Sequence, residues 1–249
     1  MVLLKCEIKN INYISRNLDD KFSHQLFFMR NFLLGTSLIL GSFVAPTMAE
    51  ESKGFYLSIG GAQTFIQDVE GDTTISGTKY DLDSDIDSDF GYEIEFGKQI
   101  ENWRLGISYG KTSPKQKNVS AENAATGVGV VASVSPKPTY DVESLMFNVY
   151  RDFPNDGKFT PYVGIGLGST SIEMQTYTTT VAGTDVVVTD DGRDLFSWDI
   201  KGGVTYSLNQ TTDLYGEVVY LRTDSFDEDG INYDAIKSTN LMAGIKFNF

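Results

Sequence analysis

Two carboxylates, Glu93 and Glu95, stand two residues apart in a segment whose apolar and polar residues alternate. On one face of a strand they would be neighbours, and neighbouring carboxylates can act as a general acid and a general base. No nucleophile or histidine accompanies them. The only His of the chain, His24, and the only Cys, Cys6, both lie in the first 28 residues. If that segment is absent from the mature protein, no His base, Cys nucleophile, disulfide or Cys/His zinc site remains, and we expect no enzymatic activity.

An acidic run offers a second kind of chemistry. Five carboxylates occupy alternate positions, and their oxygens could hold Ca²⁺ or Mg²⁺: Asp81, Asp83, Asp85, Asp87 and Asp89. The run is not an EF-hand, because its sixth position is Ile86 rather than Gly and its twelfth is Tyr92 rather than Glu. If the run extends the strand that follows it, all five side chains project from one face and repel one another without a cation. The alternative is a solvated acidic loop end.

Net charge and sequence motifs argue against nucleic-acid binding and dinucleotide binding. The formal net charge is −14 at pH 7, which argues against a nucleic-acid partner because phosphates are neutralised by clustered Lys and Arg. The run from Gly164 to Ser169 is rich in glycine but lacks the spacing and the following helix of a dinucleotide-binding fingerprint. We therefore expect no cofactor and no nucleic acid.

The N-terminus has the pattern of a targeting segment. A positive start at Met29–Arg30 is followed by an apolar run over 32–44 and by small residues at the −3 and −1 positions of a cut after Ala49. This pattern predicts a signal peptide over residues 29–49, cleaved after Ala49, with an apolar run too short to span a membrane as a helix. Residues 1–28 are then an upstream extension, with translation starting at Met29, and residues 50–249 form the mature domain.

The mature chain alternates with a period of two and shows no sustained helical spacing, which predicts an all-β protein. In the segment from Phe90 to Gly97, one face is aromatic and aliphatic, and the other carries Gly and Glu. Eight segments share this pattern: 55–62, 90–97, 103–110, 144–150, 161–168, 196–208, 214–221 and 239–249. The polar face of a soluble sandwich should be mostly charged, whereas here it is rich in glycine, so we expect the apolar face to contact lipid.

The connections between these segments alternate in length. Three are short and contain turn residues: 99–102, 154–158 and 209–211. Four are long and polar: 65–89, 112–139, 169–195 and 222–237. An even strand count with short turns at one end and long loops at the other is typical of a transmembrane β-barrel. The sequence therefore predicts a single eight-stranded antiparallel barrel with periplasmic turns and extracellular loops.

The mature chain resembles a known family. It is similar to the OmpA-type and OmpX-type eight-stranded outer-membrane barrels, also described as outer-membrane β-barrel domain or opacity/porin-family proteins. The resemblance rests on the first strand at Gly54–Leu57, the fifth at Pro161–Gly166 and the last at Asn240–Phe249. It implies an outer-membrane location and contact with the barrel-assembly machinery, which would recognise the C-terminal pattern of Ile245, Phe247 and Phe249. Outer-membrane barrel enzymes such as the omptin proteases rely on a His, which the mature chain lacks.

The face opposite the lipid carries seven charged residues that we assign to the barrel interior: Glu93, Glu95, Arg104, Asp199, Lys201, Glu217 and Lys246. In one interpretation they line a narrow polar path that prefers cations. In the other they form a salt-bridged plug, because buried charges must be paired and eight strands enclose only enough space for side chains.

The third long loop contains two β-prone runs around Ala182–Gly183, which predict a hairpin over 176–189. An exposed sheet edge there could pair with a strand of a surface partner. The apolar stretch 127–134 of the second loop is expected to pack on this hairpin.

Three functions remain open from the sequence. The first is a non-enzymatic surface protein with a structural or adhesive role, whose loops meet an extracellular ligand or partner. The second is a small cation-preferring pore for ions and small solutes. The third is a secreted, lipocalin-like soluble barrel, against which the outward aromatic residues and the terminal Phe249 argue.

Overall fold

The computed structural model describes residues 54–133, 137–181, 184–188, 192–228 and 230–249. The predicted upstream extension (1–28) and signal peptide (29–49) lie outside the described residues. Within those ranges, no helix has the length and apolar character that a membrane crossing requires.

The regular elements among the described residues are all strands. In chain order these are β1 (Phe55–Ile66), β2 (Val69–Ile75), β3 (Thr78–Ile86), β4 (Asp89–Ile100), β5 (Trp103–Thr112), β6 (Gln116–Asn123), β7 (Gly129–Ser133), β8 (Tyr140–Asp152), β9 (Phe159–Met174), β10 (Tyr177–Val181), β11 (Thr184–Val188), β12 (Arg193–Ser207), β13 (Thr212–Thr223), β14 (Phe226–Glu228), β15 (Ile231–Tyr233) and β16 (Lys237–Asn248).

Eight of these strands form a closed antiparallel barrel in the order β1-β16-β13-β12-β9-β8-β5-β4. Closure between β1 and β4 pairs Ile59 with Ile94, and pairing between β1 and β16 sets Ile59 opposite Ile245. Each predicted alternating segment lies in one of the eight strands, apart from one residue at the end of two segments. The prediction of an eight-stranded all-β barrel is confirmed. Most barrel strands are longer than the alternating segments from which they were predicted.

Alternation places the apolar residues outside the barrel. Along β4, Ile94 and Phe96 are exposed while Glu95 and Gly97 are buried, and along β5 Ile107 is exposed while Arg104 is buried. An outward apolar band and an inward polar face invert the arrangement of a soluble barrel and match the lipid-facing pattern of a membrane barrel.

Aromatic pairs flank the outer surface near both ends. Phe55 stacks on Phe96 with ring centroids 5.6 Å apart, and Phe159 lies 4.8 Å from Tyr206, near the ends joined by short turns. Near the other end, the pairs are Tyr92 with Tyr109 and Trp198 with Tyr220. In membrane barrels, aromatic belts at the two edges of the apolar band lie at the two interfaces between lipid and water.

The two ends of the barrel differ. At the turn end, β4 and β5 are joined by two residues, and Glu101 adopts the left-handed conformation with φ of 53°. At the loop end, the long connections continue as β-structure. Three of them build a six-stranded sheet in the order β14-β15-β2-β3-β6-β7, which we call the loop sheet.

The third long connection forms its own hairpin. Strand β10 pairs with β11, with Tyr177 opposite Val188, as the sequence predicts for 176–189. The apolar stretch of the second loop contributes β7, which pairs with β6 in the loop sheet. Its packing on the hairpin stays a prediction.

Candidate functional site

The polar interior of the barrel brings together the seven charged residues assigned to it from the sequence. Six of the seven are buried, and Glu93 is half-buried. The structure also places here a set of residues that the sequence analysis did not assign: Tyr56, Gln99, Asn148, Tyr150, Asp152, Tyr162, Asp213 and Tyr215. The interior is therefore a mixed network of charged and aromatic groups.

Glu95 is the centre of the first cluster. The hydroxyl of Tyr56 donates to its Oε1 at 2.7 Å, and the hydroxyl of Tyr150 donates to its Oε2 at 2.7 Å. The Asn148 amide donates to the same Oε2 at 2.5 Å and to Ser108 Oγ at 3.0 Å. Both carboxylate oxygens are thus occupied by donors from β1 and β8, and Glu95 is not available as an acid or base for a substrate.

Arg104 is the centre of the second cluster. Its Nε lies 3.0 Å from Asp152 Oδ1, and its Nη2 lies 3.0 Å from the same oxygen. The guanidinium also sits between two aromatic rings, 4.3 Å from the centroid of Tyr150 and 4.4 Å from that of Tyr162. Gln99 donates to Asp152 Oδ2 at 2.8 Å and completes the arrangement. A planar cation clamped in this way is rigid and desolvated.

The remaining cations are also paired. Lys201 Nζ lies 3.5 Å from Glu93 Oε2 and 3.7 Å from Asp199 Oδ2. Lys246 Nζ lies 3.1 Å from Asp213 Oδ2. Each charged nitrogen of the interior therefore has a carboxylate within 4 Å, as desolvated charges require.

Little space is left between these side chains. The gap bounded by Glu95, Arg104, Tyr150, Tyr162 and Glu217 has a volume of about 10 Å³. A cavity needs about 10–15 Å³ to hold a single water molecule. A hydrated ion would have to displace the clamped side chains in order to pass.

Sequence reasoning could have found part of what it missed. Asn148, Tyr150 and Asp152 alternate with the lipid-facing Val149, so the period of two already places them inside. The period of two does not show which inward residues contact one another. In the structure Arg104 lies opposite Tyr150, and the inward-pointing Asp152 follows two residues along β8. The pairing depends on the register between β5 and β8, which the sequence leaves undetermined.

The acidic run is divided between two elements. Asp81, Asp83 and Asp85 lie on β3 of the loop sheet, Asp87 lies in the connection that follows, and Asp89 begins β4 of the barrel. The expectation that all five would project from one continuous strand is therefore wrong, because the chain leaves one sheet and enters another after Ile86.

Lysines lie beside these carboxylates. Lys117 Nζ lies 2.9 Å from Asp87 and 3.8 Å from Asp85, and Lys137 Nζ lies 3.7 Å from Asp87. Asp89 accepts hydrogen bonds from Thr112 Oγ1 and the backbone N–H of Ser113. Across the part of the chain that the structure describes, no three acidic, His or Cys side chains are grouped as a metal site.

The environment moves the pKa values of two of these aspartates in opposite directions. At Asp83, burial together with the charges of Asp68, Glu70 and Asp85 raises the carboxyl pKa. At Asp87, the hydrogen bond from Lys117 lowers the carboxyl pKa, and the charge of Lys137 acts in the same sense. Asp83 therefore lies among acidic neighbours, whereas Asp87 lies beside lysines.

The link between Asp87 and Lys117 predicts a pH dependence. Because the folded pKa of Asp87 is lower than that of an unfolded aspartate, about 3.9, this contact stabilises the fold fully above that pH and is lost as the pH falls through the folded value. A carbon-13 titration of the Asp87 carboxyl should give a midpoint below about 3.9, and Lys117→Met should raise it. A midpoint at or above the ordinary value in the wild-type protein would contradict the contact.

The C-terminal residues lie on the outer surface at the turn end. Ile245 and Phe247 face outward from β16, and the Phe249 backbone N–H donates to the Phe55 carbonyl at 2.9 Å. The last residue is thus joined to the first strand at the seam between β1 and β16, with its own side chain exposed. All three side chains are exposed on the outer face of the barrel.

Comparison with known proteins gives the following matches. The chain matches the outer membrane protein beta-barrel domain family over residues 35–249. It is similar to the crystal structure of Neisserial surface protein A, with 17% identity and a TM-score of 0.50 over 80% of this chain and 100% of that one. It also matches OprG from Pseudomonas aeruginosa, with 15% identity and a TM-score of 0.49 over 80% of this chain and 97% of that one. A third match is the outer membrane protease OmpT from Escherichia coli, with 9% identity and a TM-score of 0.48 over 82% of this chain and 99% of that one. No curated protein matches the sequence.

Proposed function

The chain belongs to the outer membrane protein β-barrel domain family and lies in the lipid of the cell outer membrane, and from this premise we propose that it is a non-enzymatic scaffold that displays the loop sheet for adhesion to a surface partner. The barrel supplies a rigid, lipid-embedded base. The loop sheet supplies the contact surface.

One observation carries this proposal. Strand β7 lies at one end of the loop sheet, and its valines are unusually exposed: Val130 is 70% and Val131 is 75% exposed, while the preceding Val128 is 72% exposed. An end strand offers backbone donors and acceptors to an added strand, and neighbouring apolar side chains add burial when that strand binds. Such an edge is costly to leave in water and suits a surface that is covered by a partner.

The interior network supports a scaffold rather than an enzyme or an open pore. The carboxylate pair that could act in catalysis is engaged, Glu95 by Tyr56, Tyr150 and Asn148, and Glu93 by Lys201. The same contacts fill the path that ions would take. We therefore assign these charges to holding the barrel rigid.

Adhesion by cells that carry the protein tests the display role. A lysine on an edge strand opposes strand addition, so Val130→Lys should reduce the retention of cells on matrix-coated or bacteria-coated surfaces several-fold. The matched control is Val187→Lys, which places the same charge on an exposed valine of β11 in the separate hairpin. Loss of retention with the control alone would assign adhesion to the hairpin, and no loss with either variant would refute the display role.

Export and assembly follow from the N-terminal and C-terminal patterns. We propose that residues 29–49 are removed as a signal peptide and that the barrel-assembly machinery recognises Ile245, Phe247 and Phe249. The mature protein isolated from membranes should begin at Glu50, as N-terminal sequencing would establish. Deletion of Phe249 should lower the amount of assembled barrel, whereas deletion of the turn residue Asn155 should not. Equal amounts of the two variants would argue against recognition of the C-terminus.

A further inference from the structure

A groove lies on the outer surface of the barrel at its loop end, where β12, β13 and β16 lie side by side. Its volume is about 410 Å³, and its lining includes Trp198, Arg222 and Lys237. Trp198 and Arg222 alternate with the buried Ser197 and Thr223, so their side chains point away from the interior. The groove is therefore separate from the charged network and opens at the edge of the lipid-facing band.

Two cations lie next to each other in this groove. Trp198 lies opposite Arg222 between β12 and β13, and Arg222 lies opposite Lys237 between β13 and β16. Like charges directly opposite each other on paired strands are destabilising. Lys111, at the loop end of β5, lies 2.7 Å from Glu143, whereas no ion pair involving Arg222 or Lys237 is formed among the residues that the structure describes. An anion placed between these two cations would remove their repulsion.

The level of the two cations in the membrane determines which anion they meet. Trp198 contacts Tyr220 with ring centroids 5.9 Å apart, and this pair belongs to the aromatic belt near the loop end. Such belts lie at the interface, and Lys and Arg side chains beside them reach the head groups. Arg222 lies two residues beyond Tyr220 toward the loops. The anion at this level is the phosphate of a lipid, which a guanidinium binds through two hydrogen bonds.

Two carboxylates lie on the loop side of the cations. Asp224 follows Arg222 by two residues, beyond the end of β13, and Asp234 lines the same groove from the connection before β16. Both residues are exposed, and the backbone N–H of Asp234 donates to the Glu70 carbonyl of the loop sheet. These carboxylates would repel a purely anionic head group and would accept hydrogen bonds from an ammonium group. From the lipid outward, the groove thus presents aromatic rings, two cations and two carboxylates.

We propose that this groove binds the phosphoethanolamine head group of a membrane lipid. The phosphate lies between Arg222 and Lys237, and the ammonium donates to Asp224 and Asp234. A phosphoglycerol head group lacks the ammonium, and the methylated ammonium of phosphocholine has no N–H to donate, so neither satisfies both parts of the groove. The site is independent of the adhesive surface, since the groove adjoins β14 and β7 lies at the opposite end of the loop sheet.

Native mass spectrometry of the purified full barrel tests the lipid preference. The barrel is titrated with phosphatidylethanolamine, phosphatidylglycerol and phosphatidylcholine that carry the same acyl chains. The first bound phosphatidylethanolamine should have about tenfold higher affinity than the first bound molecule of either other lipid, as expected when two exposed charge contacts are gained. Equal affinities for the three lipids would overturn the proposal.

Competition with soluble phosphoethanolamine distinguishes a lipid from a free phosphate ester. The soluble compound should displace the bound lipid only at a far higher concentration, because it lacks the acyl chains that lie on the apolar band. Displacement at the concentration of the lipid itself would refute a lipid site and assign the groove to the free ester.

A pair of double variants isolates the two cations. Arg222→Gln with Lys237→Gln should lower the affinity for phosphatidylethanolamine about tenfold. The matched control is Lys98→Gln with Lys158→Gln, which removes two exposed cations at the turn end and should leave the affinity unchanged. Equal losses in the two double variants would attribute the effect to net charge and refute the site.

A third double variant tests the carboxylates. Asp224→Asn with Asp234→Asn removes the repulsion of an anionic head group and the acceptors for the ammonium. The affinity for phosphatidylglycerol should therefore rise to that for phosphatidylethanolamine. A preference for phosphatidylethanolamine that survives this change would refute the binding of the ammonium by Asp224 and Asp234.

Discussion

Replacing Arg104 with Leu should lower the free energy of unfolding of the barrel by about 3–5 kcal/mol, because it leaves the Asp152 carboxylate buried without its cation. Arg104 is only 4% exposed, so solvent cannot take its place. The substitution also removes the stacking of the guanidinium between Tyr150 and Tyr162. Denaturant unfolding in lipid vesicles, followed by tryptophan fluorescence, measures the change.

The neighbouring Arg151 offers a matched control. It lies on the outward face of β8, where its guanidinium is 5.0 Å from the ring of Trp103. Arg151→Leu should change the stability by no more than about 1 kcal/mol. The double variant Arg104→Leu, Asp152→Leu should recover much of the loss, since exchanging both buried partners for apolar groups removes the unpaired charge. Equal losses for Arg104→Leu and Arg151→Leu would show that the interior clamp contributes no more than a surface contact.

Adding a single methyl group at Gly106 should destabilise the barrel by about 1–3 kcal/mol. A Cβ at this position would lie 2.7 Å from Glu95 Cδ and 2.7 Å from the Tyr56 hydroxyl. These two groups are hydrogen-bonded to each other, so neither can move without breaking the contact at Glu95. Gly106→Ala is therefore a direct probe of how tightly the network is packed.

The control for this prediction is on the same strand and the same face. At Gly110, the nearest atoms to an added Cβ are 3.6 and 3.9 Å away, which is ordinary van der Waals contact. Gly110→Ala should change the stability by no more than about 0.5 kcal/mol. A difference between the two alanine variants isolates steric crowding from the general effect of replacing glycine in a strand. If Gly106→Ala unfolds at the same denaturant concentration as Gly110→Ala, the interior has room for the added methyl group, and the tight packing around Glu95 and Tyr56 is refuted.

The fold was largely predictable because lipid on one side and polar side chains on the other impose a strict period of two. Segments such as β4 and β5 carry that period in nearly every residue. The loop sheet was not predicted, although β3 alternates carboxylates with Tyr80, Leu82 and Ile86, because the pairing of strands from different loops depends on a register that no single segment determines. A local signal was present in Ser76–Gly77, where both residues have positive φ in the tight turn between β2 and β3, a geometry that favours glycine.

The interior residues were predictable as a set and not as pairs. Alternation gives the inward face, but Lys201 on β12 and Glu93 on β4 come from strands that are not neighbours in the sheet. Contacts across the barrel depend on how the sheet closes and on the stagger between its strands, and the sequence of a single segment determines neither. The same reason explains why Tyr56 and Glu95, on paired strands, were not recognised as partners.

The planar-bilayer current of the purified barrel tests the closed interior most directly, with insertion verified by protease protection of the barrel strands in the same preparation. The account predicts no stepwise conductance from inserted wild-type protein, because the charged network leaves a gap of about 10 Å³. It also predicts that Tyr150→Ala, which removes a ring beside Arg104 and a donor to Glu95, raises the current above that of the wild type. Reproducible cation-selective steps from the wild-type barrel that fall when Glu93 or Glu95 is neutralised would contradict the account and establish a pore.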